Sequence, residues 1–232
     1  MTESIEKFTS SQENGPEILD KETVEKIEAA SIYVDEKVGL LLLKTGDKPV
    51  TDITVGGEWW SQGKEKKHLR EEDVKSVEDL LSVLSLPYKK KRVRTDVQTS
   101  TDNAEQGERR EVKDFAIGKD EQSLKNILQA KNQIEFGKAY GYPETAVRVY
   151  VRPMEHSFMR WELPADVKQS DFYPFIMFRV SKENWREEIK TAQKWAEVVR
   201  MNSQKLFEEY SEYIRDADSG YEKGKPEGVD KG

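Results

Sequence analysis

The sequence predicts an α+β fold: a small, mainly antiparallel sheet of hairpins covered by helices, with a long C-terminal helix. Three observations carry this expectation. Strand-like segments follow one another through hairpin-type connections, which argues against a doubly wound parallel sheet. Apolar residues recur at helical spacing over 76–86, 120–139 and 182–215. Charged side chains make up 36% of the 232 residues and hydrophobic ones 35%, so one core is affordable only if the ends stay outside it. The expected organisation is a disordered leader over 1–19, one domain over 20–215 and a disordered tail over 216–232.

The charge supports that division. Residues 1–30 carry eight acids and three bases, and residues 216–232 carry five and three. The remaining 32 acids and 32 bases balance, so the net charge of -7 belongs to the two ends. Polar, solvated ends keep a neutral body soluble.

In chain order, Asp20 is placed to cap a short helix with Val24 and Ile27 on its apolar edge. Ser31 to Val34 and Val38 to Lys44 read as two strands of a hairpin. The second, apolar on both faces from Leu40 to Leu43, is expected at the centre of a sheet covered on both sides. Val50 to Val55 is a further strand candidate after the turn at Gly46. Ser76 to Asp79 has the capping-box form, and Val77, Leu81 and Leu84 continue at helical spacing until Pro87. Tyr88 to Thr99 and Arg109 to Ile117 read as paired strands. Asp120 opens a helix with Leu124, Ile127, Leu128 and Ile134 in its stripe. Val147, Val149 and Val151 leave 143–151 open between helix and strand.

Residues 152–174 contain three prolines in a long irregular segment, and Phe175 to Val180 reads as a buried strand. From Lys182 to Arg215, Trp185, Ile189, Ala192, Ala196, Val199, Ser203, Leu206, Tyr210 and Tyr213 recur with spacings of four and three. An unbroken helix of that length would reach about 50 Å, so it either breaks near Asn202-Ser203 or projects. The stripe suits packing on the domain, and the alternative is a dimerising coiled coil.

Several chemistries are excluded. With no cysteine there is no disulfide, no thiolate zinc site and no thiol nucleophile. The two histidines, His68 and His156, have no helical partner at metal-ligand spacing, and neither a phosphate-binding loop nor a serine elbow occurs. No metal or cofactor is expected. No apolar run approaches the ~18 residues of a membrane span, and Met1 to Phe8 lack the apolar core of a signal peptide. The expected location is the cytoplasm, with no membrane partner.

Three local features remain. In 152–174, His156, Arg160, Glu162 and Asp166 (with Glu155 beside them) are candidate catalytic groups, next to Trp161 as an apolar wall. The alternative is a decorated surface loop. Tyr88, Lys89, Lys90, Lys91, Arg92 and Arg94 form a basic strand, which suits either single-stranded nucleic acid or a sheet edge protected by lysines. Glu105, Glu108 and Glu111 on the partner strand are the expected neutralising acids. Trp59 and Trp60, with Trp161, are candidate ligand-binding aromatics, or else close over the core.

Gly141-Tyr142-Pro143-Glu144-Thr145-Ala146-Val147 resembles a short motif, Gly-Tyr-Pro-x-Cys-Cys-Val, of an uncharacterised prokaryotic family. Thr145 and Ala146 stand where that family has cysteines, which removes any thiol role. The resemblance implies an element order and no mechanism. Physically, Gly141 ends one helix in a left-handed conformation and Pro143 begins the next. The sequence as a whole points to a non-enzymatic binding or assembly module, dimerising through the last helix in one form of that reading. Alternatives are an enzyme of hydrolase or transferase type and a nucleic-acid binder.

Overall fold

The structure, a computed structural model, describes residues 17–61, 65–66, 68–98 and 108–223. Its sheet is organised by one long strand. Five strands take part: β1 (Val50–Gly56), β2 (Trp60–Ser61), β3 (Tyr88–Lys90), β4 (Arg94–Gln98) and β5 (Glu108–Gly118). All four others pair antiparallel with β5. Val112 faces both Gly56 and Arg94, and Ile117 both Thr51 and Tyr88, so β5 is the centre. The single strand expected over 88–99 is thus two short ones, interrupted at 91–93.

The inner half of β5 is buried on both faces, since Val112, Phe115, Ala116 and Ile117 are all inaccessible. Phe115 and Ile117 join the main core with Ile53 and Val55. Ala116 and Val50 meet a smaller core on the opposite face, made with Leu124 and Ile127. Those two belong to α4 (Glu121–Gln129), so helices cover both sides of this sheet.

The expected 31–44 hairpin is corrected. Only α1 (Lys21–Ala29), capped by Asp20 through the Thr23 N–H at 2.9 Å, precedes a second helix, α2 (Val34–Lys44). A six-residue apolar run fits a buried helix as well as a central strand, so length could not decide. The helix is favoured by leucines of high helix propensity, by Asp35 and Glu36 in its first turn and by Lys44 in its last. Glu36 closes the argument: its carboxylate accepts the N–H of Tyr33 at 3.1 Å and of Thr54 at 2.6 Å. Burial pushes its pKa up to about 7. Helix α2 is buried from Val38 through Leu43, and Gly39 lets it lie directly on Thr51 of β1.

Helix α3 (Glu71–Val83) starts before the expected Ser76, because Arg70 reaches Asp73 at 2.8 Å across the first turn. It ends at Val83, and Ser85 just beyond its cap turns left-handed at φ 53° before Pro87. The helix expected over 120–139 is two, α4 and α5 (Gln133–Ala139), because Asn132 caps the second through the Glu135 N–H at 3.0 Å. Residues 143–151 are helical: α6 (Glu144–Tyr150) follows Gly141, whose φ of +77° makes the expected left-handed corner. The Tyr142 N–H returns to the Gly137 carbonyl at 3.1 Å.

The irregular segment is made of short turns. It holds 3-10 turns at Met154–His156, Arg160–Glu162 and Tyr173–Phe175, and the four-residue helix α7 (Ala165–Lys168). The strand expected over 175–180 shrinks to β7 (Val180–Ser181), paired with β6 (Ser157–Phe158), because Pro174 sits in a 3-10 turn. The long helix breaks at the expected place, into α8 (Trp185–Asn202) and α9 (Gln204–Lys223). Ser203 makes the break: its hydroxyl accepts the Leu206 N–H at 3.0 Å and donates to Glu28 at 2.6 Å. Ile189, Ala192, Ala196, Val199, Leu206 and Tyr210 of the stripe, and Trp195 beside it, are buried in the main core within this one chain. Helix α9 runs past the expected end at residue 215, so 216–223 are helical, not tail. The expected leader over 1–16 and the rest of the tail lie outside the described residues. Among those described, no helix is long and apolar enough to cross a membrane.

Candidate functional site

The α5–α6 corner faces the turn at Arg160–Glu162 and the segment 176–179 across a cavity of about 620 Å³. Its walls are mostly apolar and aromatic: Phe136 and Tyr140 from α5 and its end, Tyr142 from the corner, Val147 and Tyr150 from α6. Trp161, Met177 and Phe178 close the other side. The corner is held tightly, since a side chain at Gly137 would meet Val147 at 2.7 Å, and one at Gly141 would meet Pro49 at 2.6 Å.

Under these walls lies a stacked aromatic layer. Tyr140 and Tyr142 are parallel at 5.8 Å, Tyr142 leans on Phe178 at 5.6 Å, and Phe178 meets Trp195 edge-on at 6.0 Å. The Lys48 ammonium is enclosed by them, 5.7 to 5.8 Å from the ring centres of Tyr140, Tyr142 and Trp195. Burial pushes its pKa down to about 8, with Asp52 opposing the shift. Tyr140 donates to Asp52 in a very short hydrogen bond. Burial, then Asp52, pushes the Tyr140 phenol up, and the same two causes push Tyr142 up to about 12. These hydroxyls are protonated donors at neutral pH.

Two arginines line the cavity, and they differ. Arg160 is bound bidentately by Asp218, with Nη2 at 2.7 Å and Nε at 3.0 Å, and Asp218 also accepts the Tyr173 hydroxyl at 2.7 Å. Arg179 lies over Tyr150 with its guanidinium carbon 4.8 Å from the ring centre. It forms no ion pair with a described residue, and its Nε is buried without an acceptor.

Of the catalytic candidates, only Arg160 reaches this cavity, and Trp161 joins it. His156 is exposed, and its ring lies 3.5 Å from the Glu155 carboxylate. Glu162 caps its own turn through the Met159 N–H at 2.8 Å, and Asp166 is exposed in the first turn of α7. The structure therefore does not assemble the acid/base group expected in 152–174. Consecutive short turns send neighbouring side chains in different directions, and the Glu162 carboxylate serves a local cap.

The tryptophan pair is also separated from the cavity. Trp59 is half-buried beneath Arg110, whose guanidinium carbon is 4.8 Å from the ring centre, and Trp60 contributes a backbone pair with Arg109. On the basic strand, Tyr88 packs on Phe115 and donates to Glu78, and Lys90 reaches Glu78 at 2.6 Å. Lys91 lies 3.5 Å from Asp52, and Arg94 pairs with both Asp114 and Asp96. Of the five bases among these candidates, Lys89 and Arg92 make no ion pair with a described residue. The neutralising acids are not those expected, because Glu111 takes Lys66 at 2.7 Å and His68 at 3.0 Å instead. Lys64, Lys67 and Glu105 lie outside the described residues. Among those described, no group of three or more acidic or histidine side chains is arranged to hold a metal ion.

Sequence reading missed Arg179, Tyr150 and Lys48. The signal for Arg179 was present: it is a lone charge in the run Phe175-Ile176-Met177-Phe178-Arg179-Val180. No family model, curated protein or solved structure matches the chain.

Proposed function

We propose that the protein is a non-enzymatic binding module that takes one small, largely apolar molecule in the cavity at the α5–α6 corner. One observation supports the reading above others: a cavity of about 620 Å³, walled by aromatic and aliphatic side chains on packed elements. That size and lining are typical of small-molecule sites. The stacked tyrosines and Trp195 beneath it give a rigid wall, which lowers the ordering cost of binding. We place this activity in the cytoplasm, in keeping with a chain that has no cysteine to cross-link.

The neutral fluorescent probe N-phenyl-1-naphthylamine tests the proposal. It should bind the wild type with a saturable rise in emission. Met177→Trp, which places an indole in the cavity, should abolish that rise while leaving the circular dichroism spectrum unchanged. Equal binding by wild type and variant would reject the site, and so would no binding by either.

A further inference from the structure

Building on that reading, we infer that the ligand is an organic acid, an apolar body carrying one carboxylate, and that Arg179 receives the carboxylate. Among the described residues, the lining of the cavity contains two charged side chains, Arg160 and Arg179, and no carboxylate. Asp218 already neutralises Arg160 through two hydrogen bonds. Arg179 therefore leaves in the wall of an apolar cavity one positive charge that no described residue pairs.

Its geometry selects the anion. Contact with the Tyr150 ring holds the guanidinium at the cavity wall. The Nε is buried and has no acceptor among the described residues, so a ligand would meet the terminal nitrogens. Those two nitrogens form a planar fork whose parallel N–H bonds match the two oxygens of a carboxylate. Such an anion would meet the charge that no described residue pairs. The aromatic and aliphatic walls would hold the rest of the molecule. A bare inorganic anion would leave those walls unfilled.

The test uses the full chain and the displacement of N-phenyl-1-naphthylamine by two competitors of equal length, decanoate and 1-decanol. On the wild type, decanoate should displace the probe at a concentration about tenfold or more below decanol, the advantage expected of a charge-assisted bidentate pair. Arg179→Met should remove that advantage, bringing decanoate to the level of decanol, both read against the variant's own probe affinity. Arg179→Lys, which keeps the charge without the fork, should fall between the two. Equal displacement by decanoate and decanol on the wild type would overturn the inference and leave the binding site standing. Probe binding that Met177→Trp does not affect would instead overturn the site itself. The wild-type comparison needs no variant to fold.

Discussion

At the scale of single residues, Lys48 carries the sharpest consequence. Its ammonium is buried against three aromatic rings with no carboxylate of a described residue in contact, and cation–π attraction does not fully replace lost hydration. Its pKa accordingly falls from an ordinary 10.5 to about 8. A base with a depressed folded pKa binds fewer protons folded than unfolded between those values. Stability therefore rises as pH climbs from about 8 to about 10.5, falls over the same window as pH drops, and changes no further on this account below about 8. The difference is on the order of 3 kcal/mol across that window. Lys48→Met, similar in length and uncharged, should be more stable than wild type at neutral pH, and the gap should close above pH 10. Urea denaturation at pH 7, 9 and 10.5 measures this. A gap that stays constant with pH would show that burial of the charge is not the cause. Nothing in the sequence around Gly46-Asp47-Lys48-Pro49 beyond a turn signal marks this lysine, because its surroundings come from residues nearly one hundred and one hundred and fifty positions away.

At the scale of elements, legibility followed how local the deciding contact is. Asp20 and Gly141 act within a few residues, and both the cap and the corner were readable. Ser203 was readable as a place to break. Helix α2 was not, since its apolar run fits two structures and the choice rests partly on Glu36 reaching Thr54 of β1. The closeness of α2 to β1 gives a prediction. A methyl at Gly39 would collide with the Thr51 hydroxyl, although alanine is the better helix former by about 1 kcal/mol. Overpacking of this kind costs about 1–3 kcal/mol, so Gly39→Ala should lower the melting temperature. Thr51→Ala removes the obstructing hydroxyl, and the double variant should melt above Gly39→Ala alone. If the two changes simply add, α2 does not depend on this contact.

At the scale of the whole molecule, the division into a balanced body and acidic ends misplaced the C-terminal boundary. The composition of 216–232 is that of a tail, yet Asp218 is buried, because its partners Arg160 and Tyr173 lie about fifty residues earlier. The same separation explains the site: half of it, the α5–α6 corner with Trp161, was legible, while Arg179 and Tyr150 acquire meaning only where two segments meet. Asp218 ties the end of α9 to the cavity wall, and burial together with that carboxylate pushes the Tyr173 phenol up. Asp218→Ala leaves a largely buried guanidinium and a phenol without their acceptor. Removing one member of a buried pair costs on the order of 3–5 kcal/mol. We therefore expect a clear loss of thermal stability, with amide exchange accelerated first in 216–223 and in the Arg160–Glu162 turn. Asp218→Asn keeps the volume and one acceptor oxygen and should lose less. A melting temperature unchanged by Asp218→Ala would show that the chain's end is an appendage. A loss confined to α9, with the turn still protected, would uncouple it from the cavity.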